Sequence, residues 1–557
     1  MPATLPLPPS WTGVRRRSVP HSLVVILIGG LLALPAVSFG SGSHAPFVSL
    51  RPAAAPGSND ALQLGSLVAV TPTTFWSLDL QTNNSTGVWT DPAVRTFLNE
   101  TPFTWFRYGQ DTEACNITVN VAYGANGTPS GPCNYNLTSF GEWCASQRPH
   151  CHSIIFLPGE ANNSSQTAYT AAWVVRTLGF QPDYFNLGNE PSLWRHYGIP
   201  WTQWNVSDHS TPTPLAYAVD LHAAIVAVRA VDPAARFVGL EADCACGPPW
   251  FREVVHVDGP MISALAYHSY PSYGQANESL ATLLAPLFSS SNITTSYPLV
   301  RSFISGRCPR CATLPIYLNE YNAGPGWTPT ALNGTYGNAL FLAASTVQAL
   351  RANVTQFTVF NLQSNKSTFG YSMMNDTNVV GPTGLLFSGL LRHLALGSVF
   401  ASRFNTTTAG VVAALTESSR RATLLVVNSN LTHSATVSVA SVFSTGAADW
   451  LGSWSPSRST PSWVSARARA NYTIPAEGIL LLSAPLNATH GVRLNGPAKA
   501  ADSSSGHPAE SSHTSPGPVS AGVPRSTRIS HRESEAAVRR VGLSAPIRDG
   551  YEPPTGA

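Results

Sequence analysis

Two short apolar runs in this chain end in a glutamate. Tyr184-Phe185-Asn186-Leu187 leads into Gly188-Asn189-Glu190-Pro191, and Pro315-Ile316-Tyr317-Leu318 leads into Asn319-Glu320-Tyr321. Each run reads as a buried strand, so each glutamate falls where a strand gives way to a loop. A pair of carboxyl groups held this way suits cleavage of a glycosidic bond. One protonates the leaving oxygen, and the other attacks the anomeric carbon or supports the oxocarbenium-like transition state. The expected roles are Glu190 as general acid/base and Glu320 as nucleophile, with no metal and no cofactor. Taken alone, Asn-Glu-Pro could be no more than a helix start, with Asn as cap and Pro in the first turn. A second glutamate at the matching end of another strand favours chemistry.

Other polar residues near strand ends are candidates for the same site. Asn189 offers an amide to a sugar hydroxyl, and Tyr270 could donate its hydroxyl to Glu320 and favour the ionised form. His268 and Tyr321 could contact the sugar, although either residue type is also common in a wall. Arg107 has the fork for bidentate carboxylate or hydroxyl recognition, or for an ion pair with Asp79 or Asp111. Glu160, Glu241 and Asp243 follow strands and would lie at the rim. Trp76, Trp194, Trp201, Trp204 and Trp327 fall in or beside expected loops, where sugar faces could stack on them.

The elements that would position these residues alternate as βα units. Eight strands are predicted: 75–80, 104–108, 153–157, 184–187, 236–240, 264–267, 315–318 and 356–361. Helices are expected at 91–99, 139–146, 165–178, 214–231, 278–289, 336–352 and 384–396. Eight such units close a (β/α)8 TIM barrel, whose chemistry lies at the C-terminal ends of the strands. The barrel is assigned to 62–398 and a C-terminal β-sandwich to 399–486, with the unpartnered strand 62–70 able to join the sandwich.

The flanks differ in composition. Arg15–Arg17, the apolar run Leu23–Leu34 and Ala36-Val37-Ser38 give residues 1–40 the form of a signal peptide. A linker is expected at 41–61 and a disordered tail at 487–557. The expected location is therefore outside the cell, with no stable membrane insertion after cleavage. Eight cysteines, an even number and all beyond residue 40, agree with an oxidising compartment. Cys244 and Cys246 are expected to bridge to Cys308 and Cys311, in preference to a four-thiolate zinc site. Asn-x-Ser/Thr sequons, including those at Asn292 and Asn353, are candidate glycan sites.

Charged residues are only 11% of the chain, against about 25% in ordinary domains. The formal +3 comes from the flanks, since 21 basic and 23 acidic residues remain for 41–486. That balance argues against nucleic acid or a strongly polyanionic partner. It leaves a glycoside, oligosaccharide or polysaccharide as the expected partner and the oligomeric state open.

The pattern resembles clan A glycoside hydrolases, in which the acid/base follows the fourth strand as Asn-Glu and the nucleophile ends the seventh. Within that clan it is most similar to family 79, the heparanase and β-glucuronidase family. The likeness is carried by Phe185–Ser192, by Phe106-Arg107-Tyr108-Gly109-Gln110 and by Tyr267-His268-Ser269-Tyr270, and it spans roughly 62–485. It implies a retaining enzyme with β-glucuronidase-like activity. Asn319 before the nucleophile and Asn322-Ala-Gly-Pro after it depart from that family's small or hydroxyl-bearing residues and Gly-rich stretch. The alternatives are a clan A enzyme acting on a neutral xyloside, arabinoside or glucoside, a sugar-binding protein without activity, and a zinc hydrolase built on the clustered cysteines.

Overall fold

The computed structural model describes residues 62–485 apart from 71–74, 81–90, 110–114, 117–120, 124–128, 132–136, 148–150, 158–163, 194–212, 246, 272–278, 290–291, 325–331, 333, 364–371, 405–409, 419, 441–442, 444–449, 458–459, 466 and 468. The expected signal, linker and tail lie outside the described residues. So do Asp111, Glu160, Trp194, Trp201, Trp204, Trp327 and Cys246, and the side chains of Trp76 and Asp79.

Eight parallel strands close a barrel. In chain order they are Trp76–Asp79, Trp105–Tyr108, His152–Leu157, Tyr184–Leu187, Phe237–Ala242, Ala264–Ser269, Ile316–Tyr321 and Gln356–Val359. The fold is a TIM barrel with further antiparallel sheets that form a β-sandwich. The barrel interior is filled at its lower level by Trp105, Ile154, Val238, Ala264, Ala266 and Tyr317. Alternation along each strand sends the intervening residues outward under the helices. Phe106, for instance, meets Trp143 edge-on at 5.0 Å.

Several helices carry Pro at the first turn, where its missing N–H costs nothing. They include Pro92–Glu100, capped by Asp91 Oδ1 on the Ala93 N–H at 2.7 Å, and Pro214–Val231, capped by Thr213. The latter is long and apolar enough to cross a membrane by length and composition. Here it packs Tyr217, Leu221, Ala224, Ile225 and Val228 inward as a barrel helix.

Two helices, Pro248–Asp258 and Ile293–Ile304, were not expected from the sequence. Pro248-Pro249 reads as a loop but opens its helix, where proline is tolerated, and Pro298 lies inside the second helix, where it removes one main-chain hydrogen bond. The expected helix 278–289 is a short α-helix, Leu280–Leu284, continued by a 3-10 turn. The last barrel helix starts two residues early at Pro382 and ends at His393.

The sandwich is discontinuous in sequence. Leu62–Val70 pairs antiparallel with Ser398–Phe404 at one edge of a seven-stranded sheet. A two-stranded ribbon, Ala435–Ser438 with Asn471–Ile474, covers one face. Val437, Tyr472 and Ile474 of that ribbon close a small core over Leu415, Leu424, Val426, Leu480 and Leu482. The other face meets the barrel helix Tyr336–Arg351, which is buried almost along its whole length. Tyr336 ties the two by donating to the carbonyl oxygens of Trp454 and Glu477.

The cysteines correct the expected bridging between loops. Cys308 pairs with Cys311 in the turn after Ile293–Ile304, with a Cα–Cα distance of 5.1 Å, within reach for neighbours in a tight turn. Both sulfurs are therefore tied up and unavailable to a thiolate site. Cys144–Cys151 joins the end of a helix to the start of the third barrel strand. Of the sequon residues, Asn292 caps Ile293–Ile304 through its Oδ1 and Asn353 takes a left-handed conformation beyond Tyr336–Arg351.

The edge strand Ser462–Val464 fastens the sandwich to the last barrel helix. The Trp463 indole lies where a Cβ on Gly452 or on Gly389 would have to sit. A Gly452→Val substitution should raise local strand preference but displace the indole. We expect a net loss of about 1–3 kcal/mol from overpacking. Urea unfolding measures it, and an unchanged or raised midpoint would contradict the packing described.

Candidate active site

At the C-terminal end of the fourth strand the backbone turns sharply. Gly188 has φ 70° and Glu190 φ 46°. A left-handed glutamate is uncommon and costs on the order of 1–3 kcal/mol. The turn is held by the Leu193 N–H donating to the Glu190 carbonyl at 2.7 Å and by Ser192 Oγ donating to Asp243 at 2.6 Å. The conformation aims the Glu190 carboxyl across the barrel mouth, where it is 7% exposed.

The seventh strand is irregular against both neighbours, with shifts in register between Leu318 and Tyr321 on one side and opposite Tyr267 and His268 on the other. Asn319 and Glu320 consequently both meet groups of the barrel interior. Tyr321 faces outward. Its ring stacks on Phe341 at 5.8 Å and its hydroxyl lies 3.0 Å from Ser345 Oγ, so it is a wall residue and not the sugar contact expected.

Glu320 is gripped from two sides. Tyr270 donates to Oε2 at 2.5 Å, and Arg107 Nη1 lies 2.6 Å from Oε1. Tyr270 is itself steadied by Phe360, edge-on at 5.8 Å. A hydrogen bond on one oxygen and an ion pair on the other favour a charged, oriented carboxylate.

Arg107 is wholly buried, and among the described residues its ion pairs are with Glu241 and Glu320; Asp111 and the side chain of Asp79 lie outside them. Its Nε and Nη2 donate to Glu241, Nη2 also donates to Asn189 Oδ1 at 2.8 Å, and the guanidinium lies 4.4 Å above the Phe156 ring. The fork is thus directed into the protein and not at a ligand. Asp79 ends the first strand, whose side chain lies outside the described residues.

His268 is also enclosed, so it does not face a sugar as expected. Its Nδ1 is 2.6 Å from Glu190 Oε1 and 3.4 Å from Glu320 Oε2, and its Nε2 is 3.3 Å from Glu241 Oε2. Burial pulls its pKa down, but the charges of Glu320 and Glu190 and the bonds to Glu190 and Glu241 outweigh this and push it up to about 10. These neighbours favour its imidazolium form.

Glu241 is the residue whose role sequence reasoning missed. The fifth strand runs on through Ala242 rather than stopping at Leu240, so Glu241 lies within the barrel and is fully buried. Burial alone would raise its pKa, yet the charges of Arg107 and His268 and their hydrogen bonds bring it below the usual range. Asn319 Nδ2 donates to it as well, and Thr358 Oγ1 donates to Asn319 Oδ1 at 3.3 Å. The one signal in the sequence was a glutamate directly after an apolar run, which loops share.

Glu190, His268 and Glu320 bring three ligand-type atoms within 4.8 Å of one another. The 2.6 Å contact of His268 Nδ1 with Glu190 is a hydrogen bond between a ring nitrogen and a carboxyl oxygen. The arrangement can hold one carboxylate ionised beside a second that gives and takes a proton.

No protein-family model and no curated protein matches this sequence. Solved structures do match. A family 51 α-L-arabinofuranosidase, AbfB from Bifidobacterium longum, superposes with a TM-score of 0.58 at 14% identity, over 77% of this chain and 99% of that one. An α-L-arabinofuranosidase from Thermotoga maritima gives 0.57 at 12%, over 75% and 98%. The bifunctional glucanase-xylanase CelM2 from a metagenome library gives 0.55 at 15%, over 76% and 99%. At these identities the likeness establishes the shared architecture of barrel and sandwich.

Removing Arg107 should leave Glu241 as an uncompensated buried charge. An Arg107→Met variant is expected to lose about 3–5 kcal/mol of stability, read by denaturant unfolding. A variant as stable as the parent would contradict the pairing.

Proposed function

We propose that this chain is a secreted, retaining glycoside hydrolase of the clan A type that acts on a neutral sugar. The observation that carries the reading is that a carboxyl oxygen of Glu190 and one of Glu320 lie within 4.8 Å of each other at the C-terminal mouth of the barrel. Retaining enzymes hold their two carboxyls about 5–5.5 Å apart, whereas inverting ones leave about 6.5–9.5 Å for a water.

Glu320, held as an anion by Tyr270 and Arg107, attacks the anomeric carbon. The bond to the leaving oxygen breaks as Glu190 transfers its proton to that oxygen. In the second half, Glu190 takes a proton from water, the water oxygen bonds to the anomeric carbon, and Glu320 leaves as a carboxylate. Asn189 accepts from Arg107 through its amide oxygen, which fixes the orientation of the amide beside Glu190.

Two observations favour a neutral sugar over a uronic acid. Among the described residues, the cations beside the two glutamates, Arg107 and His268, are enclosed and paired with the protein's own carboxylates. The solved structures similar in fold include enzymes named for arabinofuranoside, glucan and xylan substrates. Secretion is supported by the arginine-led apolar run near the N-terminus and by the even cysteine count.

A panel of aryl α-L-arabinofuranoside, β-xyloside, β-glucoside and β-glucuronide tests the reading. We expect turnover of a neutral member, and proton NMR should show a first product that keeps the anomeric configuration. Glu320→Gln should lower kcat by about 10⁴-fold or more. Inversion, or wild-type turnover by Glu320→Gln, would overturn the mechanism, and preference for the glucuronide would restore the family 79 reading of the substrate.

A further inference from the structure

We propose that Glu241 is the positioning residue of this site: one buried carboxylate on the fifth strand holds His268 as an imidazolium against Glu190 and Arg107 against Glu320, and so sets the two glutamates in opposite protonation states. The proposal rests on the glycosidase reading for its catalytic consequence, but the network itself is visible in the geometry.

The groups that face His268 can be counted strand by strand. Arg107 comes from the second strand, Glu190 from the end of the fourth, Glu241 from the fifth and Glu320 from the seventh, while Tyr270 follows His268 on its own strand. Asp79, at the end of the first strand, has its side chain outside the described residues. Among the described residues, three carboxyl groups therefore share this space with two cations. Burial favours a neutral sum, which is reached with His268 charged and one proton among the three acids. Glu241 is the poorest place for that proton, since Arg107 and Asn319 donate to it and His268 Nε2 points at it. Glu320 is poor as well, with Tyr270 and Arg107 both directed at it. The proton falls to Glu190, whose Oε1 accepts from His268 Nδ1 and whose carboxyl then carries the acid proton.

Glu241 touches neither leaving group nor nucleophile. Its effect passes through Arg107 and His268, and its removal would leave the floor of the site one charge too positive. Both remaining carboxyls and His268 would then lose their protons at lower pH.

The test uses the full chain carrying ¹⁵N-labelled histidine, with Glu241→Gln and Glu241→Asp variants. In the parent, His268 should stay doubly protonated well above neutral pH by NMR. In Glu241→Gln its titration midpoint should fall by about one unit or more, and Glu241→Asp, which keeps the charge, should fall between the two. On an aryl glycoside, Glu241→Gln should lower kcat by about 30–100-fold with KM within about threefold. The descending limb of its pH profile should move to lower pH. A folded Glu241→Gln with the parent's midpoint and profile would overturn the proposal. If that variant does not fold, an Asp variant with parental midpoint and kcat would do the same. The histidine midpoint reads the network whether or not any glycoside is cleaved, so a parent inactive on every glycoside would defeat the glycosidase reading and leave this proposal to the NMR result.

Discussion

The Arg107–Glu241 pair is the constraint around which the rest of the mouth is arranged. Neither partner has access to water, so each depends on the other and on the polar groups that complete their shells. Beyond Glu241, Arg107 donates to Asn189 and makes an ion pair with Glu320. Glu241 has acceptor capacity left, and this is taken by His268 and Asn319. The fourth, sixth and seventh strands are thereby tied through side chains across a barrel whose main-chain ladder joins only adjacent strands. The orientation of the two mouth carboxyls is a property of that whole cross-section.

Such a centre must be rigid, and the barrel supplies rigidity from two directions. Below, Trp105, Tyr317 and their neighbours fill the interior. Above, the turn at Glu190 is fixed by Ser192 and Asp243, so the strain of a left-handed glutamate is held by local bonds and not released by a shift of the loop. Tyr270 and Phe360 add a third support beside Glu320. Groups held in this way can change protonation state without moving far, which keeps reorganisation small.

Much of this was legible in the sequence, and what was not has physical causes. Glu190 and Glu320 stood out because an apolar strand followed by a carboxylate is a pattern of period and position. The eight strands were visible for the same reason. Tyr321 was misread because simple alternation does not show an irregular strand, and the register shift between Leu318 and Tyr321 decides which way each side chain points. Arg107 and His268 were recognised as polar residues on strands, but charge composition cannot distinguish a group that faces a ligand from one that faces a buried counter-ion. Glu241 was hidden most completely, since a carboxylate is the last residue type expected inside a strand until its partners are known. Pro248 and Pro298 masked two helices by looking like breaks.

The edge strand Leu62–Val70 sets a condition on how the molecule comes into being. Its hydrogen-bonding partner, Ser398–Phe404, follows about 330 residues later in the chain, with the whole barrel between them. At a synthesis rate of about 5–20 residues per second, the strand waits on the order of 20–70 seconds for that partner. During that time it is an unpaired apolar edge, open to association with other chains. The outermost seam of the sandwich therefore joins the two segments that flank the barrel in sequence, and it cannot form until the whole barrel has been synthesised.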